Sequence, residues 1–263
     1  MASLKRILMA GLSDPGQLRG QNEDSIAIHP ELGLAVLADG MGGHQAGEVA
    51  SGMAVEIVTR HFENREWQPS PRAPRTSDAE VVLEAIRKAN SAIYEAGHEN
   101  PDREGMGSTV VVAAFYDDRI CIGHVGDSRL YRLRNNTLEQ ITKDHSVVQE
   151  LVNRGIFTAE EARQSVARNL VTRALGVDAV IEADVSEEPV RDGDIYLLCS
   201  DGLNDVLPDE QICAIVNRHG VDLDAAAHEL VDRANQGGGP DNISVILARI
   251  SAEATGPDEL HEI

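Results

Sequence analysis

No apolar run in the chain approaches the roughly 18 residues needed to cross a bilayer. Residues 1–12 place Lys5 and Arg6 before Ile7-Leu8-Met9. That stretch is too short for a secretion signal, which takes roughly 7–15 apolar residues and a cleavage site. Cysteine is scarce: Cys121, Cys199 and Cys213 are odd in number and lack metal-ligand spacing. Each lies in an apolar stretch, so buried, inert thiols in a reducing cytoplasm are expected. Basic residues are outnumbered, 23 Lys+Arg against 44 Asp+Glu for a net charge of -21. A chain this acidic repels polyphosphate backbones, which disfavours general nucleic-acid binding. There is no zinc set rich in His or Cys, no internal repeat or heptad run, and no Gly-x4-Gly-Lys-Ser/Thr nucleotide loop.

What remains is an ordinary globular composition: 263 residues, 42% of them hydrophobic, enough for a real core. Val49, Ala50, Met53, Ala54, Ile57 and Val58 recur at helical spacing. So do Val82, Ala85, Ile86, Ala89 and Ile93, and again Leu223, Ala226, Ala227, Leu230 and Val231. Short apolar runs at 34–38, 109–115, 120–125, 195–199 and 243–250 read as strands. Another covers 129–133, with a turn at Asn135-Asn136 leading to a strand near Leu138. Two helices come together, then several strands, then helices, then a last strand. That order predicts an α+β fold of antiparallel sheets with helices outside, not a doubly wound parallel sheet. Residues 64–78, with three prolines, read as a loop between helices. The domain is expected to span 1–251, followed by an acidic tail at 252–263 that frays.

One pattern recurs at predicted strand ends. Apolar runs lead into Asp39-Gly40, into Ser200-Asp201-Gly202 and into Gly126-Asp127, while Asp241 opens the run that begins at Ile243. Asp-Gly pairs make turns, but buried strand ends do not tolerate unpaired carboxylates. Carboxylates that converge repel one another unless cations lie between them. Mg²⁺ and Mn²⁺ are hard ions that prefer such oxygens. A second cluster, Arg19-Gly20-Gln21-Asn22-Glu23-Asp24, sets an arginine among acids. Beside a metal site that arginine becomes a candidate phosphate clamp, because guanidinium matches two phosphate oxygens at once.

Taken in order, Arg19-x-x-Asn22-Glu23-Asp24, Asp39-Gly40-Met41-Gly42-Gly43-His44, Gly107-Ser108-Thr109, Gly126-Asp127-Ser128-Arg129, Asp144-His145-Ser146, Ser200-Asp201-Gly202-Leu203 and Asp241-Asn242-Ile243-Ser244 run through most of the chain. This ordered set resembles the metal-dependent Ser/Thr protein phosphatase family (the protein phosphatase 2C type), in its compact bacterial form. The resemblance implies a four-layer α/β/β/α sandwich of two antiparallel sheets flanked by helix pairs. It implies that Asp39 bridges two Mn²⁺ or Mg²⁺ ions, that the Gly40 carbonyl binds one, and that Asp201 and Asp241 hold the other. Glu23 and Asp24 then contact metal waters, and Asp127 ligates a weaker third ion with Asp201 and Asp205. Arg19 matches the phosphate-binding arginine.

By the same resemblance, a hydroxide between the two ions attacks phosphoserine or phosphothreonine of a protein directly, without a phosphoenzyme. There is no Cys-x5-Arg loop or Asp-x-Asp motif to support a covalent route. Partners are phosphorylated proteins, including a Ser/Thr kinase and its substrates; a monomer in the cytoplasm, away from membranes, is expected. His44 is the candidate general acid, and His145 is read structurally, as part of an Asp144-His145-Ser146 run that opens a helix and can cap it. The segment at about 150–178 matches the family's flap but departs from it, with Ser165-Val166-Ala167 before Arg168-Asn169 where bacterial members often carry His-Pro. A binding module that had kept the fold and lost its metal is the rival reading; it should lack the ligands that Asp39, Asp201 and Asp241 supply here.

Overall fold

The computed structural model describes residues 5–42, 46–64, 77–158, 161–162, 165, 167 and 170–252. Eleven strands among these residues form two antiparallel sheets. One sheet has the order β1 (Lys5–Asp14), β11 (Ile243–Ala252), β10 (Ile195–Cys199), β7 (Arg129–Arg134) and β8 (Thr137–Gln140). The other has the order β2 (Asp24–His29), β3 (Leu34–Met41), β5 (Val110–Phe115), β6 (Arg119–Val125) and β9 (Asp184–Pro189), with β4 (Gly107–Ser108) also pairing with β3.

Alternation along the strands sorts the apolar residues into three cores. Ala35, Leu37, Val111, Ala113, Ile122, Tyr196, Leu198 and Ile246 meet between the sheets. Their neighbours Leu34, Val36, Val110 and Val112 face outward against α1 (Ala46–Glu63) and α2 (Asp78–Glu99). On the far side Leu197, Cys199, Val245 and Leu247 pack under α5 (Asp209–His219) and α6 (Leu223–Gln236). Strands that are apolar on both faces are what a four-layer architecture requires, and the expected α/β/β/α sandwich is observed. Two shorter helices, α3 (Val147–Asn153) and α4 (Asp201–Asn204), lie nearer the sandwich rim.

The helix stripes fall on buried faces: Val82, Ala85, Ile86, Ala89 and Ile93 are all fully buried. In α1 the innermost line is Ala46, Ala50, Ala54 and Val58, with Val49, Met53 and Ile57 on its flank. Ser77 and Glu80 start α2 with a reciprocal capping box. Asn135 and Asn136, both at positive φ, make the two-residue turn between β7 and β8.

Several details differ from the sequence reading, which gives no strand at β1, β2, β4 or β9. β3 does not stop at Ala38 but runs through Asp39 and Gly40 to Met41, because β4 pairs with its end. Cys121 and Cys199 are buried, and burial raises both thiols to about 12, but Cys213 is partly exposed on α5. Within the Asp144-His145-Ser146 run expected to open and cap a helix, the capping side chain is that of Ser146, whose hydroxyl accepts from Gln149 N–H at the start of α3. Most of the expected 64–78 loop, the tail beyond Ala252, His44 and the Arg168-Asn169 pair lie outside the described residues. No described helix is long and apolar enough to cross a membrane.

Candidate metal centre

Antiparallel pairing brings the acidic residues to one rim of the sandwich. Asp24 and Asp39 face each other across β2 and β3. Val110 pairs with Val125, so the turn after β6 that carries Asp127 lies at the same end. Cys199 pairs with Val245, which sets Asp201, just past β10, beside Asp241, just before β11. The two sheets are joined here by polar contacts. Ser200 donates to Asp24 Oδ2 at 2.7 Å and accepts Ser244 N–H at 3.0 Å. Asn242 is a hub: its Oδ1 accepts Glu23 N–H at 2.8 Å, and its Nδ2 donates to the Pro15 and Gln21 carbonyls at 2.9 Å each.

Asp39 is fixed through its backbone. Its N–H donates to Thr109 Oγ1 at 3.0 Å, and its carbonyl accepts Thr109 N–H at 2.8 Å and the Ser108 hydroxyl at 3.0 Å. The Thr109 hydroxyl lies 2.7 Å from that of Ser128, next to Asp127. Gly40 donates its N–H to the Glu23 carbonyl. The carboxylate of Asp39 meets that of Asp24 across the two paired strands.

The electrostatics are those of unneutralised like charges. Burial raises Asp39 well above the carboxylate range, and Asp24, Asp201, Asp127 and Asp241 raise it further. Asp201 is raised by burial, then by Asp127, Asp241, Asp205 and Asp24. Burial lifts Asp24 to about 6 against the pull of the Ser244 and Ser200 hydroxyls, and lifts Asp127 to about 6 with help from Asp144. Glu23 is raised more mildly, again by burial first. Arg19 lies over the cluster and donates to Asp241 Oδ2 at 2.7 Å. One exposed guanidinium does not balance so many carboxylates.

All the described acidic residues predicted for the site are therefore brought together: Glu23, Asp24, Asp39, Asp127, Asp201, Asp205 and Asp241. Among the described residues no three of these carboxylates bring an oxygen each within 4.8 Å of one another; what fits them to divalent cations is one orphaned atom. Asp24 Oδ1 is buried and has no hydrogen-bond partner. A carboxylate oxygen left in that state costs free energy unless a cation or its water meets it. The hard oxygen donors suit Mn²⁺ or Mg²⁺.

A cleft of about 310 Å³ opens beside Asp127, Asp201 and Asp205, between α3 and the 204–209 segment. Arg129 lines it, held by Asp144 through Nε and Nη2 and by the Tyr131 hydroxyl through Nη1 at 2.9 Å. The Asn242 hub, the Thr109–Ser128 link and this arginine clamp were given no role by the sequence reading. The signal for them was present in the motifs as polar residues next to apolar strand ends.

Comparison with known proteins agrees with this geometry. Residues 19–241 match the sequence profile described as Protein phosphatase 2C. The chain is 42% identical over 241 residues to the serine/threonine protein phosphatase PstP of Mycobacterium tuberculosis, covering 92% of this chain and 44% of that protein. It thus spans less than half of PstP. With the serine/threonine phosphatase Stp of Listeria welshimeri the identity is 36% over 250 residues, 94% of this chain and 97% of that one. A crystal structure of the M. tuberculosis PstP superposes with a TM-score of 0.85 at 40% identity, over 93% of this chain and 99% of that one. A structure of the PstP catalytic domain in complex with two manganese ions gives a TM-score of 0.82 at 39% identity, over 93% and 98% of the two chains.

Proposed function

Because the chain belongs to the protein phosphatase 2C family, we propose that it hydrolyses phosphoserine and phosphothreonine in proteins, with divalent metal ions as cofactors, and opposes a Ser/Thr kinase. The observation that carries this reading is the gathering of carboxylates from five strand ends at one rim, with Asp24 Oδ1 buried and unpartnered. The manganese-bound PstP structure and the names of the relatives support it.

In this reading Asp39, the Gly40 carbonyl, Asp201 and Asp241 hold a pair of Mn²⁺ or Mg²⁺ ions. Glu23 and Asp24 would accept from water on those ions, and Asp127, with Asp201 and Asp205, would hold a weaker third. When bound, the ions supply Lewis acidity and make a water acidic enough to attack phosphorus near neutral pH. The chain's own residues do the rest. Arg19 reaches the rim from the loop after β1 and pairs with the phosphoryl oxygens, where a planar fork of N–H groups matches two of them. The Asn242 hub and the Thr109–Ser128 link hold the carboxylates in place, so no reorganisation is required as charge develops. His44 remains the proposed proton donor to the departing seryl oxygen. The cleft between α3 and the 204–209 segment takes the peptide on one side of the phosphorylated residue.

The test is phosphate release from phosphoseryl and phosphothreonyl peptides. Protein stripped with chelator should release none, and added Mn²⁺ should restore turnover. Full turnover in excess chelator would overturn the reading.

A further inference from the structure

Outside the acidic rim, the donor atoms of His124, His145 and Asp184 lie within 4.8 Å of one another. They do not make a chelate. The two imidazoles stack, centroids 4.6 Å apart and planes at 23°, so their in-plane lone pairs run side by side instead of converging. His124 Nε2 already faces the Lys143 carbonyl at 2.9 Å. The place of a cation is taken by Arg173, whose Nη1 is 3.1 Å from Asp184 Oδ1 and 3.3 Å from His145 Nε2.

What His145 does hold is Gly126. Its backbone N–H donates to the Gly126 carbonyl at 2.9 Å, and Gly126 N–H donates back to His145 Nδ1 at 3.2 Å. Gly126 has φ +103°, and a Cβ there would lie 2.6 Å from Thr109 Cγ2, so the position requires glycine. An imidazole that accepts at Nδ1 carries its proton on Nε2. That edge faces Asp184 Oδ2 at 3.4 Å, and Arg173 Nη1, 3.3 Å away, then gives its hydrogen bond to Asp184 Oδ1 and not to the imidazole. Burial, His124 and Arg173 push His145 down to about 4, so the lone pair is present at neutral pH. On its other side the His145 carbonyl accepts Thr172 N–H at 2.7 Å, which ties the same residue to the end of the 150–178 segment.

We propose that His145 is a positioning residue for Asp127: its Nδ1 lone pair grips the Gly126 N–H and so fixes the turn that presents the Asp127 carboxylate to a divalent ion. The proposal rests on the reading of Asp127 as a metal ligand given above. Groups that act on a metal through one intermediate partner typically change affinity about 10–100-fold when lost. Asparagine places an oxygen where Nδ1 lies; leucine keeps the bulk and removes the acceptor.

Mn²⁺ binding to the chelator-stripped full chain, followed by calorimetry, tests this. His145→Leu should weaken the lowest-affinity Mn²⁺ by about tenfold or more, and His145→Asn should bring it back to near the wild-type value. Asp127→Asn is the control and should lose the same ion. Wild-type Mn²⁺ binding in His145→Leu, with Asp127→Asn weakened, would overturn the positioning role and leave Asp127 as a ligand. Equal losses in the leucine and asparagine variants would also overturn it. Unchanged binding in Asp127→Asn would remove the metal role of Asp127 and the proposal with it. A second measurement needs no variant: the wild-type protein should show a through-hydrogen-bond ¹⁵N–¹⁵N coupling between Gly126 N and His145 Nδ1. Its absence would contradict the contact on which the proposal stands.

Discussion

Replacing Asp39 by asparagine should lower kcat/KM on a phosphoseryl peptide by about a thousandfold or more, while making the metal-free protein more stable. The first effect follows from charge. Metal ions supply several kcal/mol of transition-state stabilisation, and each 1.36 kcal/mol is roughly a factor of ten in rate. Loss of about 4 kcal/mol is then about three orders of magnitude. The second effect has the opposite sign because Asp39 is a source of repulsion in the absence of metal.

The pH dependence separates the two effects. A carboxylate raised in the folded state keeps a proton that the unfolded chain has already released. Folding stability therefore falls as pH rises through the interval between the two values. Asparagine carries no such penalty. In chelator, the variant should match the wild type below about pH 4, where carboxylates are protonated in both states. It should gain as pH rises, and exceed the wild type by at least ~2–4 °C in melting temperature at pH 7.5, the equivalent of about 1 kcal/mol for a chain near this size. Asp24 and Asp127, at about 6, fix where much of the neighbouring charge appears. Thermal melts in chelator across pH 4–8, paired with turnover in Mn²⁺, check both signs. Equal stability of the two proteins at pH 7.5 would contradict the electrostatic account.

Gly202→Ala should lower turnover by about a hundredfold without touching any carboxylate. A Cβ at residue 202 would lie 2.0 Å from the Asn242 carbonyl oxygen and 2.9 Å from its carbon. Both atoms are backbone, so a rotamer change cannot relieve the clash. The turn after β10 must move away from the start of β11, and Asp201 and Asp241 move apart with it. Displacements near 1 Å cost about 10²-fold in reactions that depend on alignment, and overpacking of this kind costs about 1–3 kcal/mol of stability. Turnover as a function of Mn²⁺ and a denaturant titration measure the two losses. Native turnover with native Mn²⁺ dependence would show that the 202–242 contact does not set the carboxylate spacing.

The same glycine illustrates how far the sequence could be read. Asp201-Gly202 was visible as a turn at the end of an apolar run, and so were Asp39-Gly40 and Gly126-Asp127. The rim is assembled from strand ends, and strand ends have a local signature. Helical periodicity likewise exposed α2 and α6, whose stripes are buried as expected. β9 was not legible, because Asp184–Pro189 is an acidic edge strand whose pairing with β6 comes from backbone groups. The end of β3 was misread for a related reason. Asp39 and Gly40 have poor strand propensity, but β4, some 65 residues later, supplies a partner. His145 was read from its immediate neighbours as part of a helix start. Its partner, Gly126, is 19 residues away and is brought to it only by the folded sheet. Contacts of this range leave no periodicity or spacing in one sequence.

The central claim is that these carboxylates exist to hold divalent ions at one rim of the sandwich. Anomalous diffraction at the manganese absorption edge, from crystals of the full chain grown with Mn²⁺, tests it most directly. Two strong peaks among Asp39, Asp201 and Asp241 are predicted, with a weaker one at Asp127. Crystals that diffract well and show no manganese at those residues, or show it only beside His124, His145 and Asp184, would contradict the account.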